Sequence, residues 1–146
     1  MSRRCSYRIL PDYNLIVSRY EGEISESEII SLKEAITRDD SFNIRYNTLD
    51  DFSDTTFHMT GESNVLVYNW LRDHYSWRRN SAVLTSTPEQ VVNITLFTHI
   101  QKYELPMKIK IFSTLEAALQ WVRLSTEDIP AIRSVLNEIK RMPIAT

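Results

Sequence analysis

The sequence predicts an α/β fold: a mostly parallel five-stranded sheet with an antiparallel N-terminal edge strand, flanked by helices and extended by one more helix at the C-terminus. Three observations carry that expectation. The chain opens on two short apolar runs joined by turn residues, continues as alternating helix-period and strand-period segments, and finishes on an amphipathic helical stretch.

Tyr7 to Leu10 and Leu15 to Glu21 are strand-like runs separated by Pro11-Asp12-Tyr13-Asn14, whose turn chemistry predicts an antiparallel hairpin. Ser25 stands three residues before Glu28, the spacing of a capping box, ahead of Ile29, Leu32, Ala35 and Ile36 at helical intervals. That helix is expected to run to about Asp39. Tyr46 to Phe52 is the next strand, followed by a polar loop through Gly61 and a helix carrying Leu66, Trp70, Leu71 and His74. Ala82 to Thr85 reads as a buried strand. Thr87-Pro88-Glu89-Gln90 then supplies an N-cap, a first-turn proline and a glutamine at the third position of a helix reaching about Tyr103.

After Pro106, Met107 to Phe112 alternates apolar and lysine residues, as an edge strand does when charge discourages further pairing. Ser113 and Glu116 suggest a second capping box before Leu115, Ala118, Leu119 and Val122, in a helix ending near Leu124. Ser125-Thr126-Glu127-Asp128 introduces the last helix. Residues 1–124 form one α/β domain in this reading, and 125–146 a helical extension of it. Hairpin first and right-handed crossovers afterwards place the two sheet edges at the first and last strands.

At 146 residues, with 42% hydrophobic and 25% charged residues, the chain is sized for one core. A net charge of −2 offers no overall basic field, so nucleic acid is not expected as a partner. The single cysteine, Cys5, has no internal partner, and no Cys/His set has zinc spacing, which together suit a reducing, cytoplasmic setting without a metal. No run is apolar enough for a signal peptide or a membrane span. With Gly22 and Gly61 as the two glycines, the glycine-rich phosphate loops are absent and no cofactor is implied.

Tyr20-Glu21-Gly22-Glu23-Ile24-Ser25, Leu49-Asp50-Asp51-Phe52 and Ile111-Phe112-Ser113-Thr114-Leu115-Glu116-Ala117-Ala118-Leu119-Gln120-Trp121 together resemble the SpoIIAA-like family, relatives of the STAS domains of anti-sigma-factor antagonists. The resemblance spans roughly Tyr7 to Val122. It implies a non-catalytic binding or regulatory module that engages a protein partner, sometimes under control of a phosphorylated hydroxyl at a helix start. Where STAS domains carry Asp-Ser-Ser-Gly character, this chain has His58-Met59-Thr60-Gly61, so the candidate partner or switch residues are Ser53, His58, Thr60, Gly61 and Ser63. Thr60 reads either as an N-cap or as a phosphorylation site. Relatives of the lipid-binding CRAL-TRIO type imply an alternative, a small carrier of a hydrophobic ligand held by Val65, Tyr68, Leu96, Phe97 and Ile100.

Other groupings have plainer readings. Asp50, Asp51, Ser53 and Asp54 are expected in a solvated acidic loop just past a strand rather than around a divalent ion. His74 and His99 are expected to be half-buried on helices, and Arg78-Arg79 to be a solvated helix end. Trp70, Tyr75 and Trp77 beside Arg72, Arg78 and Arg79 make an aromatic and basic cluster able to hold an anionic ligand, although Trp70 fits core packing. Ile129, Ile132, Val135, Leu136 and Ile139 form an apolar stripe. Either it folds back on its own sheet or it joins two copies, and a homodimer is the expectation carried forward.

Overall fold

In the computed structural model, which describes residues 4–75, 78–100 and 105–141, the elements follow the expected order. The strands are β1 (Arg4–Leu10), β2 (Leu15–Ile24), β3 (Asn47–Phe57), β4 (Arg79–Leu84) and β5 (Met107–Phe112). The helices are α1 (Glu26–Arg38), α2 (Gly61–His74), α3 (Pro88–Ile100), α4 (Leu115–Trp121) and α5 (Ile129–Arg141). The sheet order is β1-β2-β3-β4-β5; β1 runs antiparallel to β2 and every later pair is parallel. The mixed five-stranded sheet, its antiparallel first edge and its lysine-bearing last edge are therefore as expected.

Strand order decides where the helices lie. From β2 to β5 the chain steps across the sheet in one direction, and right-handed crossovers then put α1, α2 and α3 on the same face. Ile16, Tyr20, Phe52 and Val83 on that face pack under Ile29, Leu32 and Ile36 of α1, Val67 and Leu71 of α2, and Ile94 and Phe97 of α3. The opposite face, with Leu15, Val17, Leu49, Ala82 and Leu84, is covered by Ala118 and Leu119 of α4 and by Ile129, Ile132 and Ile139 of α5. Those three isoleucines are no more than 7% exposed, so most of the stripe is buried within the chain. Val135 and Leu136 pack partly against the same core. The stripe needs no second copy to cover it.

Capping chemistry places the helices. The Ser25 backbone N–H donates to the Glu28 carboxylate at 2.8 Å, and Ser125 pairs in the same way with Asp128 at 3.3 Å. At α3, Thr87 and Gln90 cap each other reciprocally, at 3.2 and 3.3 Å. The cap of α4 is one residue later than expected: Thr114 Oγ1, not Ser113, accepts the Ala117 N–H. The expected end of α3 near Tyr103 lies outside the described residues, as does Trp77.

Four strands, β1 to β4, are longer than expected. β2 continues to Ile24 and β3 to Phe57 because Glu21–Ile24 pair with Asp54–Phe57, polar as the latter segment is. At the register shift between Arg19 and Glu21, Thr55 Oγ1 donates to the Tyr20 carbonyl at 2.9 Å. Beyond Asp51 and Leu84 the strand β4 no longer pairs with β3. Gln90 fills in there: its Nε2 donates to the carbonyls of Thr55 at 2.9 Å and Ser53 at 3.2 Å, and it is 3% exposed.

Candidate partner-binding site

The site begins where β3 ends. The His58 N–H donates to the Ile24 carbonyl at 2.8 Å, holding the short loop His58-Met59-Thr60 against the end of β2. Thr60 takes an extended conformation and caps α2, its Oγ1 accepting the Ser63 N–H at 3.1 Å. The Thr60 and Ser63 hydroxyls are also 3.1 Å apart. Thr60 is exposed whereas Ser63 is buried, so of the two hydroxyls Thr60 is the one open to solvent. A Cβ on Gly61 would meet nothing within 4 Å, so this glycine answers no steric demand. His58 is exposed, with Nε2 3.5 Å from the Glu23 carboxylate.

Ser53 is set apart from these residues. It lies inside β3 on the other face of the sheet, where its hydroxyl donates to Asp51 Oδ1 at 2.6 Å. The structure thus joins His58, Thr60, Gly61 and Ser63 and leaves Ser53 behind the sheet.

A groove of about 420 Å³ runs from this helix start to α3, lined by Met59, Thr60, Gly61, Asn64, Asn93, Leu96 and His99. Around it the surface is apolar. Val65, Leu66, Val91, Val92 and Leu96 are 39–57% exposed, and they are the exposed large hydrophobic residues among those described. All five belong to α2 or α3. A sequence reader counts them as core because helix periodicity assigns each helix one apolar stripe, and α3 is apolar on more than one side.

Two of the residues expected to enclose a hydrophobic ligand, Val65 and Leu96, therefore stand at the surface. Tyr68 packs partly against the first core, Phe97 is buried, and the side chain of Ile100 lies outside the described residues. The cavity beneath α2 and α3 measures about 60 Å³, and of the expected set Phe97 lines it.

Polar groups enter that cavity. Lys33 of α1 meets Asp50 of β3 at 3.6 Å, and each is under 10% exposed. Arg79, expected as a solvated helix end, instead begins β4 and is 5% exposed, because its guanidinium lies over the buried Tyr75 ring at 3.7 Å. Burial lowers the Arg79 pKa from the ordinary arginine value, against the pull of Tyr75 and Asp50. The buried Tyr20 hydroxyl has its pKa pushed well above the tyrosine range, first by desolvation and then by the Asp50 carboxylate.

The acidic residues do not form a loop. Asp50 and Asp51 are consecutive in β3, so their side chains leave the sheet on opposite faces and cannot share an ion. Asp50 meets Lys33, while Asp51 and Asp54 pair with the buried Arg19. Among the described residues no cluster of three or more His, Cys, Asp or Glu side chains is placed to hold a metal. His74 and His99 are exposed, not half-buried; His74 stacks on Trp70 at 4.2 Å. No described helix is long and apolar enough to cross a membrane.

No family model matches the chain, and no curated protein does. Solved structures do resemble it. An anti-sigma factor antagonist from Mycobacterium paratuberculosis matches with a TM-score of 0.52 at 20% identity, over 84% of this chain and 96% of that one. An uncharacterized protein with a SpoIIAA-like fold from Shewanella loihica matches with a TM-score of 0.54 at 12% identity, over the same shares of the two chains. The fold is SpoIIAA-like and related to that of STAS domains, as the sequence motifs imply.

Proposed function

We propose that this chain is a non-catalytic regulatory module that binds a protein partner through the outer surfaces of α2 and α3, with Thr60 as the point of control. The observation that carries the reading is the gathering, on those two helices, of all five exposed large hydrophobic residues among those described, beside the groove that Thr60 borders. Likeness in fold to an anti-sigma factor antagonist supports a protein as the partner. A phosphate on Thr60 would sit among the first N–H groups of α2, where the helix dipole favours negative charge, and would replace the neutral cap at the edge of an apolar surface. The module works without metal or cofactor and belongs in a reducing cytoplasm.

The carrier alternative has less behind it. A cavity of about 60 Å³ holds a few water molecules. Small-molecule sites occupy roughly 300–1,000 Å³.

The test starts with cross-linked capture from the source cells, identification of the captured protein and its purification. Affinity is then measured for the native chain and for Leu66→Glu, Val92→Glu and Thr60→Glu. Each apolar-to-glutamate change is expected to weaken binding by roughly tenfold or more, as buried interface anchors do. Thr60→Glu is expected to shift affinity with the circular dichroism spectrum unchanged. Equal affinity across all four proteins would sink the reading.

A further inference from the structure

At the opposite end of the sheet, where β3, β4 and β5 begin, a pocket of about 610 Å³ collects Arg45, Arg78, Arg79, Lys108 and Arg123. No described Asp or Glu lines it, although the whole chain carries a net charge of −2. Five cations in one concavity without a lining carboxylate produce a focused positive field that the net charge hides. None of Arg78, Arg79, Lys108 and Arg123 enters an ion pair with another described residue.

We propose that this pocket binds a small molecule bearing two or more phosphate groups. The lining gives the first reason: four arginines and one lysine meet there with no described carboxylate among them. Guanidinium forks match phosphate oxygens in pairs, and the arginines here outnumber the single lysine.

Arg123 gives the second. The Leu124 N–H donates to the Leu119 carbonyl at 2.9 Å and the Arg123 N–H to that of Gln120 at 3.1 Å, so α4 ends in a Schellman turn. Arg123 fills the left-handed position, at φ 70°, where glycine is the usual occupant. A side chain there strains the backbone by about 1–2 kcal/mol, and what the chain gains for it is a guanidinium at the pocket.

The floor is already rigid. Asn47 Oδ1 accepts the Asn80 N–H at 2.9 Å, Asn47 Nδ2 donates to the Val122 carbonyl at 3.2 Å, and Asn80 Nδ2 donates to that of Trp121 at 3.1 Å. These bonds tie the starts of β3 and β4 to the end of α4, so cations carried on distant segments are held in register before any ligand arrives. The volume falls within the range of small-molecule sites, roughly 300–1,000 Å³. A bounded, half-open pocket on an acidic chain suits a compact polyanion better than the extended backbone of a nucleic acid.

Calorimetric titration of the full chain with inorganic pyrophosphate, and separately with ATP, tests the assignment. The variants are Arg123→Gly and Lys108→Gln, with Arg38→Gln on α1 as a control at an exposed basic residue. Saturable one-site binding of pyrophosphate is expected, weakened roughly 10- to 100-fold by either pocket variant and unchanged by the control. Arg123→Gly relieves the backbone while removing the charge, so this variant keeps its fold and its result stands on its own. Three results would overturn the proposal: no saturable binding at millimolar pyrophosphate, affinity untouched by both pocket variants, or an equal loss in Arg38→Gln. A single-stranded oligonucleotide that binds more tightly than either phosphate ligand would also overturn it, in favour of a nucleic-acid surface.

Discussion

Lys33 and Asp50 meet beneath α1, within an interface otherwise built from Ile29, Phe52, Val67 and Phe97. Two charges removed from water gain back through their mutual attraction roughly what desolvation costs, so the pair adds little net stability while leaving either partner alone is expensive. Lys33→Met is accordingly expected to destabilise the protein by about 3–5 kcal/mol in urea unfolding. Lys33→Met combined with Asp50→Leu should return to within about 1–2 kcal/mol of the native chain, since neither charge is then stranded. A neutral single variant would mean that Arg79 alone compensates Asp50. None of this was legible beforehand: Asp50 and Asp51 resemble the start of a polar loop because Ser53, Asp54, Thr55 and Thr56 follow, and their burial becomes apparent only once β3 continues past them to Phe57 beside β2.

At the scale of elements, α4 and α5 cover the second face of the sheet together, and Glu116 with Arg133 forms a surface ion pair between them. The Glu116 pKa is lowered from 4.5, first by its own backbone N–H and then by Arg133. A carboxylate lowered in the folded state stabilises fully above its unfolded value, and loses that contribution as pH falls through the folded one. The difference in thermal midpoint between the native chain and Arg133→Ala is therefore expected to shrink from about pH 6 to about pH 3, without changing sign. A gap that grows on acidification would show that Glu116 does not hold Arg133.

Element order and type were readable from capping pairs and periodicity: Ser25 with Glu28, Thr87 with Gln90, and Met107 to Phe112 all stand where their residue types place them. Strand ends were not. β4 starts at Arg79, well before its apolar run, because pairing with Met107 and the Tyr75 ring keeps an arginine that reads as solvated. Of the candidate site, His58 to Ser63 was legible as a helix start. The apolar surface beside it was not, because sequence periodicity does not say which of two apolar sides of α3 faces the sheet.

The whole molecule presents two unlike poles. The proposed partner surface at the carboxyl ends of the strands is apolar, whereas the pocket at their amino ends is lined by arginine and lysine. Salt screens the second and not the first. Raising sodium chloride to about 0.5 M is expected to weaken pyrophosphate binding severalfold or more and to leave partner affinity nearly constant, which paired titrations would show. Equal salt sensitivity at both poles would mean that charge also governs the α2–α3 surface. The one-directional strand order has a further consequence, for synthesis. Because α1, α2 and α3 all settle on one side, a nascent chain that has already aligned its five strands still exposes Leu15, Val17, Leu49 and Ala82 until α4 and α5 emerge from the ribosome. At roughly 5–20 residues per second, that interval lasts on the order of seconds. For that time the half-clad sheet is a target for ribosome-associated chaperones, and slow codons across Leu115–Arg141 would lengthen its exposure to aggregation.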